Sequence, residues 1–306
     1  MLKPLDDIAQ GQHERRRLTE IGTYLARTES PAWATVPEPV ALLDAESNRS
    51  AIFVTRRATG RPLSDIVADA VRAGSSVRNH PLVEMALRRT TTMLAMIHAA
   101  GPQPANIARI TRRTKDSMRK GLCTDLSKLG ATNPKEIAHQ WMSLLPDEMT
   151  LVTKRDAHTE NWLITDSGAV VALDLQAATY LPLGFELAQL IEDMPAFPAH
   201  DARSRTELAE AYIEELRTRR PDLTDALPDV RDAGWQSSYA CYAARRAIFT
   251  LARHRGKGAE SSGSERLLGA RREHARALLR QTRAIVPELV VFETVLAPPV
   301  QGRQEI

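Results

Sequence analysis

The strongest constraint in this 306-residue chain is a polar array laid across a β-hairpin. Asp156 is followed by Asn161, and Asp174 comes thirteen residues after Asn161. Between the last two, Trp162-Leu163-Ile164, a turn at Asp166-Ser167-Gly168 and the run Ala169 to Leu173 read as two short strands and their connection. Folding that hairpin lifts Asn161 and Asp174 to neighbouring ends and leaves Asp156 one loop earlier. A carboxylate that can orient a hydroxyl then stands beside two oxygen ligands suited to a hard cation.

Composition narrows the setting. With 43% hydrophobic residues the chain can bury a large core, as one two-lobed unit or two closely joined domains. Its two cysteines, Cys123 and Cys241, cannot form a disulfide framework, and no Cys/His spacing matches a zinc site. A reducing, cytoplasmic location is expected. The start, Met1 to Asp7, lacks the apolar run of a signal peptide, and no stretch approaches the ~18 consecutive apolar residues of a membrane span. The net charge of +3 comes from 41 Lys+Arg against 38 Asp+Glu, a weak pull on polyanions. Two basic groups, Arg109 to Lys120 and Arg245 to Lys257, read first as solvated faces. Aromatic residues, at 5%, are too sparse for a base-stacking surface, which argues against nucleic acid as a partner.

Apolar periodicity places the remaining elements. Leu18, Ile21 and Leu25 mark an amphipathic helix over 12–27, closed by Ser30-Pro31. Val40 to Leu43 reads as extended, Ala51 to Thr55 as a strand, and Thr59-Gly60-Arg61-Pro62 as a turn. A long, largely buried helix runs from Leu82 to Ala100 and stops at Gly101-Pro102. Residues 103–150 are more polar, with helices of which one is anchored by Trp141, Met142, Leu144 and Leu145. Helices follow near 184–193, 204–219, 229–254 and 264–285, with a flexible connection at 256–264.

The order Asp, four residues, Asn, hairpin, Asp resembles the catalytic core of protein-kinase-like phosphotransferases. Met96-Ile97-His98-Ala99, Asn161-Trp162-Leu163, Leu173-Asp174-Leu175-Gln176 and Pro182-Leu183-Gly184-Phe185-Glu186-Leu187-Ala188 are similar to segments of the aminoglycoside phosphotransferase and choline kinase group. Val36-Pro37-Glu38-Pro39 and Gly60-Arg61-Pro62-Leu63 match its connecting segments. The likeness spans roughly residues 1–195. It implies an α+β, protein-kinase-like two-lobed fold: a short, truncated N-lobe at 1–57 for the nucleotide, and a mainly helical C-lobe at 58–306 for the catalytic loop and substrate.

The same resemblance implies roles. Asp156 would be the catalytic base, Asn161 and Asp174 the Mg²⁺ ligands, Lys3 the strand lysine on the ATP phosphates, and Glu14 its ion-pair partner, with Glu20 the alternative. The implied activity is ATP- and Mg²⁺-dependent phosphorylation of a hydroxyl on a small molecule: an aminoglycoside or other antibiotic, an amino alcohol or a sugar-like metabolite. Two departures stand out. Lys154 occupies a place usually held by His, and Arg155 one often held by Gly. The chain also begins two residues before Lys3, where the family has two strands and a phosphate-covering loop, and no P-loop replaces them.

Other readings stay open. A non-catalytic nucleotide-binding or regulatory kinase homologue is the main alternative, and a basic helical nucleic-acid binder a third. Asp156, His158 and Glu160 alternate as a metal site could. His98 reads as a packed histidine, Trp235, Tyr239 and Tyr242 as core, and Glu186, Glu192 and Asp193 either as contacts for a cationic substrate or as caps and solvated charges.

Overall fold

The computed structural model describes residues 2–5, 8–44, 51–73, 80–101, 112–146, 149–154, 156–175, 180–193, 202–253 and 262–295. Strand β1 (Leu2–Leu5) leads into helix α1 (Ile8–Arg27), and β3 (Pro39–Asp44) and β4 (Ala51–Thr55) follow the two-residue β2 (Ala34–Thr35). An antiparallel sheet of order β1-β4-β3 results, with Lys3 opposite Phe53 and Phe53 opposite Leu42. Leu18, Ile21 and Leu25 of α1 bury their stripe in one core with Leu5 and Phe53. The approach is close enough that a Cβ at Gly11 would run into Leu42 and Leu5.

The short strand β5 (Arg61–Pro62) precedes α2 (Leu63–Arg72), a helix absent from the sequence expectations although its buried Leu63, Ile66, Val67 and Ala70 stand at helical spacing, and then the central α3 (Pro81–Ala99). Pro81 at the first turn of α3 suits its fixed φ, and Met93 to Ala99 are buried on every face, as in a helix surrounded by protein. Strands β7 (Trp162–Ile164) and β8 (Val170–Ala172) form the expected hairpin, with Trp162 opposite Ala172. Its two outer edges are paired as well: β2 runs parallel to β8, and β5 antiparallel to β7. Strand β6 (Thr150–Val152) pairs with β9 (Tyr180–Pro182), which continues into α6 (Leu183–Ile191).

Helices α4 (Arg112–Leu129) and α5 (Pro134–Ser143), with α8 (Ala233–Arg253) and α9 (Ser262–Ile285), form a second core. Trp141 is fully buried there and donates its Nε1 to the Cys241 carbonyl at 3.0 Å. Helix α7 (Ala202–Arg219) packs along α3. Trp235 and Tyr242 are buried, as a core reading required, and Trp235 stacks on Tyr239. Among the described residues no helix is long and apolar enough to cross a membrane. The expected connection at 256–264 falls largely outside the described residues, as do Arg109, Arg155, Gln176, Arg255 and Lys257.

Candidate functional site

The hairpin closes where the polar array needs it. A short 3₁₀ turn, Thr159–Asn161, feeds β7, and the Leu173 amide donates to the Asn161 carbonyl at 2.9 Å. Asp174 follows at φ 57°, a left-handed conformation that non-glycine residues adopt at a cost and that clusters at functional sites. Trp162, fully buried, ties the preceding loop down through Nε1 to the Ala157 carbonyl at 3.0 Å. Asn161 Nδ2 donates to the Asp156 carbonyl at 3.0 Å, which leaves Oδ1 as the amide's acceptor end. The Asp156 side chain is 49% exposed, with Oδ2 3.3 Å from His158 Nε2. Burial pushes its pKa up, but the His158 hydrogen bond and charge, with Lys154 and Arg246, outweigh that and hold it below the ordinary value.

Lys3 reaches this end from β1. Its Nζ lies 2.7 Å from Asp174 Oδ1 and 3.0 and 3.2 Å from the two Glu14 oxygens. Burial lowers the Lys3 pKa, yet two carboxylates sharing one ammonium raise it overall. At Glu14 the balance reverses: burial and the nearby Asp174 charge exceed the pull of Lys3, so its carboxyl sits above the usual value. Glu20 is exposed and 3.7 Å from Arg17, so Glu14 is the partner of Lys3.

Lys154 has a larger part than its place in the sequence suggests. It is fully buried, its Nζ donates to the carbonyls of Asp156 at 2.8 Å and Asp174 at 3.4 Å, and it sits 5.3 Å from the Trp162 ring centroid. One ammonium thus bridges the loop and the turn. Burial draws its pKa down to about 8 against the charges of Glu186, Asp174 and Asp156. Behind it, Glu186 Oε2 accepts from the Lys154 amide at 2.9 Å and lies 2.7 Å from His98 Nε2. His98 Nδ1 meets the Tyr212 hydroxyl at 2.6 Å. A neutral His98 with its proton on Nε2 satisfies both contacts, donating to Glu186 and accepting from Tyr212.

The other flank of the loop is held from α8. Asp193 Oδ2 accepts from the Thr159 amide at 2.9 Å and hydroxyl at 2.6 Å, while Arg246 pairs with its Oδ1. Glu192 takes Arg205 in a two-point contact at 2.6 and 2.8 Å and accepts from the Tyr239 hydroxyl at 2.9 Å. Burial would raise its carboxyl, but Arg205 and His274 hold it well below the usual range. These contacts correct two expectations. Glu186, Glu192 and Asp193 are not free for a cationic substrate, and Arg245 and Arg246 are buried partners of Asp125 and Asp193 rather than a solvated face. The reason is tertiary: each carboxylate lies in a wall between helices, where an unpaired charge would be costly.

For a hard divalent cation the fit rests on donor chemistry. Asp174 offers a carboxylate and Asn161 an amide oxygen at the same hairpin end, both ligands that Mg²⁺ accepts. No group of three His, Cys, Asp or Glu able to hold a metal occurs among the described residues, which removes the reading of Asp156, His158 and Glu160 as a metal cluster. Of the array, the structure joins Lys3, Glu14, Asp174, Asp156 and Asn161 through direct contacts or through Lys154. Sequence reasoning missed Lys154, Glu186, Asp193 and Arg246 as parts of the loop's support. The one available signal was Lys154 standing where the resemblance puts His.

The fold recurs among solved structures. The microcompartment-associated aminopropanol kinase matches at TM-score 0.51 and 16% identity, over 94% of this chain and 86% of that one. A glucosamine kinase in complex with glucosamine, ADP and inorganic phosphate matches at TM-score 0.51 and 15% identity, over 91% and 74%. At these identities the likeness is one of fold. Comparison with curated protein sequences gave no significant match. The family described as "Phosphotransferase enzyme family" matches residues 7–223, which include Asp156, Asn161 and Asp174, and the chain therefore belongs to that family of small-molecule phosphotransferases.

Proposed function

We propose that this phosphotransferase moves the γ-phosphoryl group of ATP, with Mg²⁺, onto a hydroxyl of a small molecule. The observation that carries the reading is the contact of Lys3 Nζ with Asp174 Oδ1 at 2.7 Å, which joins residues 171 positions apart and puts the lysine beside the hairpin end. In this reading residues 1–57 receive the nucleotide and 58–306 the acceptor, in a cytoplasmic enzyme. Lys3, oriented by Glu14, faces the phosphates. Asn161 and Asp174 would hold Mg²⁺, which supplies charge neutralisation at the phosphate oxygens. Asp156, ionised and half exposed, orients the acceptor hydroxyl and takes its proton as the oxygen bonds to the γ-phosphorus and ADP leaves with the bonding pair. Lys154 fixes the spacing of base and metal turn through their carbonyls. The ADP bound in the glucosamine kinase structure supports a nucleoside triphosphate donor.

The test is turnover of ATP with an acceptor panel, read as ADP release. Asp156→Ala and Asp174→Ala should each abolish it while thermal unfolding stays cooperative; normal turnover by either variant defeats the assignment. The non-catalytic alternative makes a different prediction, binding without transfer. Stabilisation by ATP and Mg²⁺ in a thermal-shift titration, with no ADP released for any acceptor, would favour it.

A further inference from the structure

Helices α7, α8 and α9 leave a space between them that the phosphoryl-transfer reading does not use. It is a cavity of about 150 Å³, a size that admits a single aromatic ring when the walls are apolar. Ala209, Val230, Ala243 and Leu278 supply aliphatic wall, and Trp235 and Tyr239, stacked with ring centroids 6.4 Å apart, supply a flat one. Gln236 and Ile285, the exposed members of the lining, mark its mouth. The polar groups restrict what can enter. Glu192 is engaged by Arg205 at two points and by the Tyr239 hydroxyl, so the carboxylate and the guanidinium in the lining neutralise one another and a charged guest meets no counterion. Gln281 differs. Its Oε1 is buried with no hydrogen-bond partner among the described residues, an acceptor whose desolvation is uncompensated. None of Lys3, Asp156, Asn161 or Asp174 lines the space.

We propose that this cavity is a second binding site, for a neutral molecule of one aromatic ring that bears a hydroxyl. The ring restores the dispersion contacts that an unfilled space forfeits, against the Trp235 and Tyr239 faces and the aliphatic wall. The hydroxyl donates to Gln281 Oε1 and completes its hydrogen bonding. A carboxylate or ammonium on the same ring would be taken out of water without a partner. Glu192 immediately precedes Asp193, whose carboxylate holds Thr159 of the loop, so the cavity adjoins the loop's support rather than the base.

The test is binding to the full chain without nucleotide, measured by calorimetry with phenol, benzene, benzoate and benzylamine. Phenol should bind at one site and about tenfold more tightly than benzene, the effect of one buried acceptor satisfied, and neither charged ring should match it. Gln281 is only partly buried, so Gln281→Leu should fold normally, still bind benzene and lose the preference for phenol. Ala209→Leu adds volume to the α7 wall and should weaken phenol by about tenfold or more; Gln281→Leu decides the matter if that variant does not fold. No phenol binding, benzene or a charged ring bound as tightly as phenol, or an unchanged phenol preference in Gln281→Leu overturns the proposal. Every reading is taken without ATP, so the outcome stands apart from that of the phosphoryl-transfer test.

Discussion

The front and back of the proposed catalytic loop are built on opposite principles. In front, Asp156 and Asp174 expose 49% and 25% of their side chains, and their positions are set largely through backbone carbonyls held by Lys154 and Asn161. Behind, Glu186, His98 and Tyr212 form a line of side-chain contacts sealed from solvent. The two carboxylates therefore keep lone pairs for ligands, while much of their positional accuracy comes from Lys154 and the buried groups behind it. Substitutions in front should reach turnover, and substitutions behind should reach stability.

The largest effect expected from that division lies in front. Asp156→Asn keeps shape and removes the proposed base, so kcat should fall by about 10²- to 10⁴-fold, with the urea midpoint close to wild type. A loss of stability there comparable to that of a back-wall variant would break the comparison. Next, Glu186→Ala strands the Lys154 amide and His98 in a dry site, which should cost about 3–5 kcal/mol by chemical denaturation. Glu186→Gln, which can still accept a hydrogen bond, should lose less.

Lys154 stands on the border, and its titration sharpens the contrast. Its folded pKa of about 8 lies below the ordinary lysine value of 10.5, so between those values the unfolded chain binds more protons than the folded one. Burial of the charge is thus a penalty at neutral pH, and the fold should gain stability as pH rises through about 8 to 10. Relative to Lys154→Met the gain should reach about 2–3 kcal/mol, since lowering a pKa by one corresponds to about 1.4 kcal/mol. Parallel pH profiles for the two proteins would refute it. The smallest effect belongs to a pair outside both regions: Arg203→Ala removes an exposed contact with Glu207 and should change stability by no more than about 0.5 kcal/mol.

The elements that periodicity can mark were readable in advance. The long helices α1, α3 and α7 to α9 carry stripes over several turns, and the hairpin combines branched or aromatic residues with a Ser-Gly turn. Helix α2 was legible too, since Leu63, Ile66, Val67 and Ala70 stand at helical spacing, whereas β2 and β5 have two residues each, too few for any period to show. The front of the site was legible because its spacing is local. Its back was not, since Lys154 and Glu186 are separated by 32 positions and Arg246 and Asp193 by 53. A lone charged residue in a sequence reads as solvated, and only the packed helices reveal that these charges neutralise one another.

The pairing of β2 and β5 with the hairpin carries a kinetic consequence. Both outer strands come from more than a hundred residues upstream of the β-bridges they complete. A turn of this kind can close locally in microseconds, but its sheet is finished only after the chain has paid the entropy of two long loops. Assembly of the polar array should therefore be among the late events of folding, so that partly folded molecules retain helices while Asn161 and Asp174 still lack their fixed spacing.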